Sequence, residues 1–378
     1  MKLFQGFKIR IYPSDAQILK MHQFAVARIK AYNWGLEQQY SRLNSENKLK
    51  LLNRKELTAQ FVDLTKTDKR YYWIRELGVS RHLFYYAFDD LNNTVHDYLT
   101  HQRAFKNKRA GKPKYKSSKF TKWSFSQRND MKLICRNKIQ IAKLGLVPAN
   151  AEQLNRVGDI YKPAQLASIR FSFDGINYWV SFNKHIVHPD SVKTGESIGI
   201  DLGRKVWATC SDGSTLIFPI ERLAKYYHKL VLINRRIQLA SNGSVDSQKL
   251  YLKRRVCLAR IKNITDDCIK QYVAKVVQRR PRRVVMENLA VSGMSHSNWF
   301  HQDFKDSKFR YFRDQMQYRC EHIGIEFVLA DRYYPSSQIC SKCHSRKKMP
   351  ISNRTYQCEH CGLVIDRDLN AAINLANY

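Results

Sequence analysis

The spacing of apolar residues changes period along this chain, and each change marks an element. In "KLFQGFKIRIYP", Phe7, Ile9 and Ile11 fall on one side and Lys8 and Arg10 on the other, which predicts a strand. From residue 15 to 103 the period lengthens. Leu19, Phe24, Ala25, Ile29 and Trp34 recur at helical spacing, and "ELTAQFVDLTK" and "RHLFYYAFDDLNNTVHDYLTHQRAF" continue it. The many Tyr and Phe rings there are read as helix packing rather than base stacking. Alternation returns from 132 to 184. In "SIRFSFDGINYWVSFNK", Ile169, Phe171 and Phe173 are followed by Asp174-Gly175 and then Tyr178, Val180 and Phe182, a hairpin pattern.

A second hairpin is expected in "ESIGIDLGRKVWATCSDGSTLIF". Residues 220–280 read as long basic helices interrupted by the polar "SNGSVDSQ" at 241–248. "RRVVMENLAV" is a short buried strand, "FRYFRDQMQYRCEHIG" a helix ending in glycine, and "IEFVLADRYYP" another strand. This order predicts an α/β domain in the C-terminal half, preceded by a helical block and a small β unit.

Charge narrows the partners. The chain of 378 residues holds 66 Lys+Arg against 32 Asp+Glu, a formal net of +34. Such an excess repels itself unless a polyanion neutralises it, and nucleic acid is the expected partner. Residues 106–119, "KNKRAGKPKYKSSK", form a basic loop expected to lie along a phosphate backbone. The start lacks the long apolar core of a secretory signal, and no stretch approaches the roughly 18 apolar residues of a membrane helix. No membrane partner is expected.

The nine cysteines are not a secreted disulfide framework. Cys135, Cys210, Cys257, Cys268 and Cys320 are scattered and are expected to be small buried residues. Cys340, Cys343, Cys358 and Cys361 form two Cys-x-x-Cys knuckles, the pattern of a tetrahedral Zn²⁺ ribbon. Four thiolates close the coordination sphere, so this zinc is expected to be structural. A redox dithiol is the alternative.

Isolated acids suggest a second kind of metal site. In "SIGIDLGRK", Ile198, Ile200 and Leu202 face the core, while Gly199, Asp201 and Gly203 face the other way, leaving room above the acid. Glu287 ends the apolar run Val284, Val285, Met286. Asp366 and Asp368 precede an amphipathic helix, one expected as its N-cap and the other as a metal ligand on the first turn. Carboxylates on two strands and a helix start suit two-metal phosphodiester hydrolysis, with divalent ions about 3.5–4 Å apart. Hard oxygen ligands select Mg²⁺ or Mn²⁺. Asp331 is a possible fourth acid with an expected structural role.

Together, "GIDLGRKVWATCSDG", "VVMENLAV", "YYPSSQICSKC" and "YQCEHCGLVIDRDLNAAINL" resemble the TnpB nucleases of bacterial insertion sequences, relatives of the type V CRISPR effectors. The resemblance covers residues 196–378 well and extends more loosely to the first strand, "AYNWGLEQ" and "GKPKYK". It implies an α/β fold: an RNase H-like (RuvC) nuclease domain with an inserted zinc ribbon, plus an N-terminal β-barrel-like wedge domain and a helical recognition domain. The implied boundaries are 1–12 for a wedge strand, 13–105 for the recognition domain, 106–190 for the wedge, 191–335 and 364–378 for the nuclease, and 336–363 for the ribbon.

The implied activity is Mg²⁺-dependent, RNA-guided cleavage of double-stranded DNA beside a transposon-adjacent motif. Asp201, Glu287 and Asp368 would be the catalytic acids; Asp368 is chosen over Asp366 because it stands two residues before Asn370. The implied partners are a guide RNA from the transposon end and target DNA, bound by a monomeric protein in the bacterial cytoplasm at the nucleoid. Alternatives are a guided DNA-binding regulator without cleavage and a miniature type V CRISPR effector. Two departures stand out. His344 occupies a place where the family often has glycine. Thr265 and Lys270 occupy the Arg and His places of a helix expected to face the guide–target duplex.

Overall fold

A computed structural model of the chain describes residues 3–43, 50–104, 112–117, 122–127, 131–135, 137–157, 166–186, 194–203, 206–288, 308–350 and 353–378. The chain divides into two compact units, Met1–Val187 and His188–Tyr378.

In the first unit, β1 (Leu3–Ile11) supplies the expected alternation. Ile9 and Ile11 are buried, and β1 pairs antiparallel with a later strand through Ile9↔Val180 and Phe7↔Phe182. The helices are α1 (Asp15–Leu43), α2 (Arg54–Thr67), α3 (Tyr72–Glu76) and α4 (Arg81–Ala104). Asn53 starts α2 through a capping box: its side chain accepts from Lys55 N and Glu56 N, and its own N–H donates to the Glu56 carboxylate at 2.7 Å. Phe61 is fully buried with rings of Trp34, Tyr71, Phe84 and Phe88 around it, so these aromatics are indeed packing.

The strands that follow are β2 (Trp123–Gln127), β3 (Met131–Cys135), β4 (Lys138–Ile141) and β5 (Gly145–Pro148). A short α5 (Ala151–Asn155) leads to β6 (Leu166–Phe173) and β7 (Tyr178–Ile186). They build an antiparallel sheet of order β1-β7-β6-β2 and a second of order β3-β4-β5. The β6–β7 connection is wider than the Asp174-Gly175 pattern suggests. The Asp174 carboxylate accepts from the N–H groups of Ile176 and Asn177 and from the Trp179 indole, holding a four-residue loop. Of the basic loop, residues 112–117 are described, and they are pinned to α1. Asn33 exchanges two 2.8 Å bonds with the Lys116 backbone, and the Tyr40 hydroxyl donates to Pro113 O.

The second unit is built on β8 (Ser197–Leu202), β9 (Ala208–Cys210), β10 (Thr215–Leu216), β11 (Arg283–Met286) and β12 (Glu326–Leu329). Their order is β10-β9-β8-β11-β12, with β8, β11 and β12 parallel and the other pairings antiparallel. Between β10 and β11 run α6 (Ile220–Leu239) and α7 (Val245–Gln278). The polar interruption is shorter than its composition suggests, because the Ser244 hydroxyl caps Ser247 N at 3.1 Å and α7 begins at Val245.

α8 (Phe309–His322) follows β11 in the described chain, and α9 (Arg367–Ala376) closes it. Ile198, Ile200, Val284 and Met286 share one core with α7 and α8, while Val285 and Leu375 belong to another beneath α9. Between β12 and α9, β13 (Thr355–Gln357) and β14 (Val364–Asp366) form a two-stranded ribbon. No helix among the described residues is long and apolar enough to cross a membrane. Of the scattered cysteines, Cys210, Cys257 and Cys320 are buried and Cys268 half-buried; the Cys135 side chain lies outside the described set.

Candidate active site

Asp201 and Glu287 meet through strand register. β8 and β11 pair in parallel with Ile200 opposite Met286, so the next residue on each strand is an acid. In-register residues of neighbouring parallel strands stand about 4.8 Å apart and point to the same face. The glycines on that face have the role the pattern suggests. A Cβ at Gly199 would stand 1.9 Å from the Ala372 carbonyl oxygen, so α9 rests directly on the strand backbone. A Cβ at Gly203 would stand 3.5 Å from Asp368 Oδ2, so the third acid sits over the same strand.

The two aspartates at the start of α9 divide their work. Asp366 caps α9, its Oδ1 accepting from Asp368 N at 2.9 Å and Leu369 N at 3.0 Å. Asp368 is turned inward and only 5% exposed. Arg367 donates to its Oδ1 from Nε and Nη2, and Arg354 donates to its Oδ2 from Nη1. Asp331 is exposed and structural. Its side chain accepts from Tyr333 N, and its N–H donates to the Tyr378 hydroxyl.

Electrostatics mark Asp201 and Glu287 as the acids that the two arginines on Asp368 leave incompletely compensated. Burial, then the charges of Glu287 and Asp368, push the Asp201 carboxyl well above the carboxylate range. Burial pushes Glu287 up to about 7; Arg367 opposes the rise and Asp368 adds to it. Such a converging set of oxygen donors fits a hard divalent cation, which supplies the missing positive charge.

The thiols form a separate site. Sγ atoms of Cys340, Cys343, Cys358 and Cys361 all lie within 4.8 Å of one another. Cys340–Cys361 and Cys343–Cys358 are each 3.6 Å apart, close to the roughly 3.8 Å edge of a zinc–thiolate tetrahedron with 2.3 Å bonds. The Ser345 hydroxyl, 3.1 Å from Cys343 Sγ and 3.2 Å from Cys358 Sγ, pulls those thiols down to about 5 and about 7. Both knuckles end in a left-handed residue, His344 at φ 62° and Gly362 at φ 69°. Glycine is the natural occupant of that conformation, so the His344 departure is one of backbone cost.

Sequence reasoning missed what joins the two sites. Asn370, treated only as a marker, is fully buried: its Oδ1 accepts from Ser341 N at 2.9 Å and its Nδ2 donates to Ile339 O at 2.7 Å. Asn374 Nδ2 donates to Ser336 O and Ile339 O. α9 is thereby clasped to the first knuckle. A helix asparagine repeated at i, i+4 is the signal that could have pointed there. Thr265 also differs from expectation. It is buried, donates to Ile261 O and accepts from Lys308, beside Asp266, which pairs with Lys262 and Lys308. Only Lys270 of the two departures is exposed.

Three family models match the chain. One described as "Probable transposase" (OrfB_IS605) covers residues 180–298, and a Cas12f1-like TNB domain covers 309–375. A helix-turn-helix domain of the same OrfB_IS605 group covers 1–48, whose described residues form a strand and one continuous helix. A candidate RNA-guided DNA endonuclease of Streptomyces pristinaespiralis is 26% identical, over 98% of this chain and 88% of its own. Another, Rv2885c of Mycobacterium tuberculosis strain H37Rv, is 22% identical over 99% and 86%. Among solved structures, Cas12f1 in its complex with sgRNA and target DNA shares the fold, with a TM-score of 0.56 and 13% identity over 100% of this chain and 99% of that one.

Proposed function

Because this chain belongs to the TnpB-like family, we infer that it is an RNA-guided DNA endonuclease of an insertion sequence. The observation that carries the reading is the strand register that sets Glu287 beside Asp201, with Asp368 delivered over the same face by α9. The sheet order, with antiparallel strands first and parallel strands after, supports an RNase H-like nuclease of RuvC type. The ribbon at 336–363 is an insertion in that domain. The strand at 1–12 with residues 106–190 is the barrel-like wedge, and 13–105 the recognition part.

Asp201, Glu287 and Asp368 would hold Mg²⁺ or Mn²⁺, which supplies an activated water and charge for the leaving 3′ oxygen of the phosphodiester. Asp201 and Glu287 must give up their protons to do so, and Arg367 eases that step by opposing the rise in both. Cys340, Cys343, Cys358 and Cys361 would hold Zn²⁺ and keep the ribbon folded, while Asn370 and Asn374 transmit that order to α9. The protein would act as a monomer at the nucleoid. It would hold the guide–target duplex by shape and charge, leaving sequence choice to base pairing. The net charge of +34 and the exposed Lys270 on α7 suit that task.

The test is purification with RNA transcribed from the transposon end, then incubation with target plasmid and Mg²⁺. Guide-dependent linearisation that disappears in Asp201→Ala is the expected result. Tight guided binding that leaves the plasmid intact would overturn the nuclease and favour the regulator.

A further inference from the structure

Tyr333 is 85% exposed, against 57% for Tyr115, the next most exposed aromatic ring among the described residues. A single surface ring is ordinary; its place is not. Leu329 pairs in parallel with Met286, and Ala330 N donates to Met286 O at 2.9 Å, so Ala330 stands level with Glu287 on the neighbouring strand. The Cα of Tyr333, three residues on, is at most about 11 Å from that of Ala330. Tyr333 therefore lies at the carboxyl end of the parallel strands, the end that carries Asp201 and Glu287 and where open α/β sheets bind their ligands. It is also where the chain leaves the sheet for the zinc ribbon.

The backbone under this ring is held on both sides. Asp331 O accepts from Tyr334 N at 3.0 Å, and an Asp331 carboxylate oxygen accepts from Tyr333 N at 3.2 Å. Asp331 N donates to the Tyr378 hydroxyl at 3.1 Å, and the Tyr334 hydroxyl donates to Asn374 O at 3.3 Å. The Tyr334 and Tyr378 rings meet edge to face, centroids 4.9 Å apart. The helix that brings Asp368 to the site at its start thus fixes the turn of Tyr333 near its end. Tyr334 is half-buried in that contact while Tyr333 stays in solvent, and the exposed Arg332 beside it offers a cation to phosphates. A ring on a fixed backbone gives up little freedom when a base stacks on it, and stacking accepts any base. That suits an enzyme whose sequence choice lies in base pairing. We propose that Tyr333 is a substrate-positioning residue of the nuclease: a base of the DNA strand entering the site, a few nucleotides from the scissile phosphodiester, stacks on its ring. The assignment rests on the reading of Asp201, Glu287 and Asp368 as the acids that cut that strand.

Two measurements test it. In the first, the purified protein is irradiated with single-stranded DNA carrying 5-iododeoxyuridine, with Ca²⁺ in place of Mg²⁺ to keep the strand whole, and adducts are mapped by mass spectrometry. The adduct should fall on Tyr333; one that falls only elsewhere would overturn the assignment. In the second, guided cleavage is compared for wild type, Tyr333→Ala, Tyr333→Phe and Tyr333→Trp. Tyr333→Ala should cut about tenfold more slowly with guide RNA still bound, while the Phe and Trp variants stay near wild type, since the ring and not the hydroxyl is used. An abasic nucleotide at one position near the cut, in the strand not paired with the guide, should slow wild type by about the same factor and slow Tyr333→Ala no further. A merely structural residue would not show that dependence on one base. Unchanged cleavage in Tyr333→Ala, additive losses, or loss of guide RNA from Tyr333→Ala would each overturn the assignment. The crosslink needs no cleavage, so it judges Tyr333 even if wild-type protein cuts no guided DNA.

Discussion

Glu287 follows Met286 as Asp201 follows Ile200, and Met286 and Ile200 are partners in a parallel pairing. The two carboxylates therefore leave adjacent strands at one level, on the face where α9 brings Asp368. Like charges this close, partly buried, favour a bound proton or a bound cation.

That relationship sets a pH dependence. Glu287 rises from the ordinary glutamate value of 4.5 to about 7, and Asp201 rises as well. A carboxyl with a raised folded pKa binds its proton more tightly folded than unfolded, so the folded state loses stability as pH climbs from about 4.5 to about 7. In zinc-loaded protein dialysed free of Mg²⁺, the melting temperature should fall across that interval. Glu287→Gln should flatten the fall and stabilise the protein at pH 8, by on the order of 2 kcal/mol, while abolishing cleavage. Mn²⁺ affinity of the wild type should rise over the same interval, since binding displaces protons. A pH-independent melting temperature would contradict the arrangement.

Gly199→Ala tests the contact between β8 and α9. The added Cβ would stand 1.9 Å from Ala372 O and 2.3 Å from Ala376 N, both backbone atoms that cannot rotate away. Unfolding in urea should show a loss of about 3 kcal/mol. Displacement of Asp368 should lower cleavage about a hundredfold.

Asn370 and Asn374 should matter more to stability than polar helix residues usually do. Both donate to Ile339 O, at 2.7 Å each, from buried positions. Either alanine variant should lose about 1–3 kcal/mol, and the pair should lose less than the sum because they share that acceptor. Denaturation of the single and double variants, with zinc content measured, checks this.

His344→Gly should stabilise the ribbon. A φ of 62° costs a residue with a Cβ about 1 kcal/mol, and no such cost applies to glycine. Gly362→Ala, at φ 69°, should destabilise by a similar amount. Thermal melts of zinc-loaded protein should move in opposite directions for the two variants.

Much of this site was legible in order along the chain. The alternation of "SIGIDLG" placed Asp201 opposite the core, and the glycines beside it announced a close approach, which α9 makes. The two knuckles announced a metal site, and the four thiols do converge. That one of Asp366 and Asp368 caps the last helix was recognisable because capping is a local event, while the choice of Asp368 as the other acid came from the resemblance.

Other features depend on contacts between distant segments. The level at which Glu287 meets Asp201 depends on the register of two strands joined by a long helical crossover, and no residue within either strand specifies it. Thr265, on a helix expected to face the guide–target duplex, is itself buried, where Lys308 at the start of α8 reaches it and Asp266. Arg354 carries no local signal at all; it reaches Asp368 only because Thr355 pairs with Asp366. The sequence alone determined the elements, their faces and the types of ligand, since these follow from the periods and chemistry of neighbouring residues. Only the tertiary structure decided which acid faces which, and which cation answers it, since side chains far apart in the chain are brought together by packing and strand register.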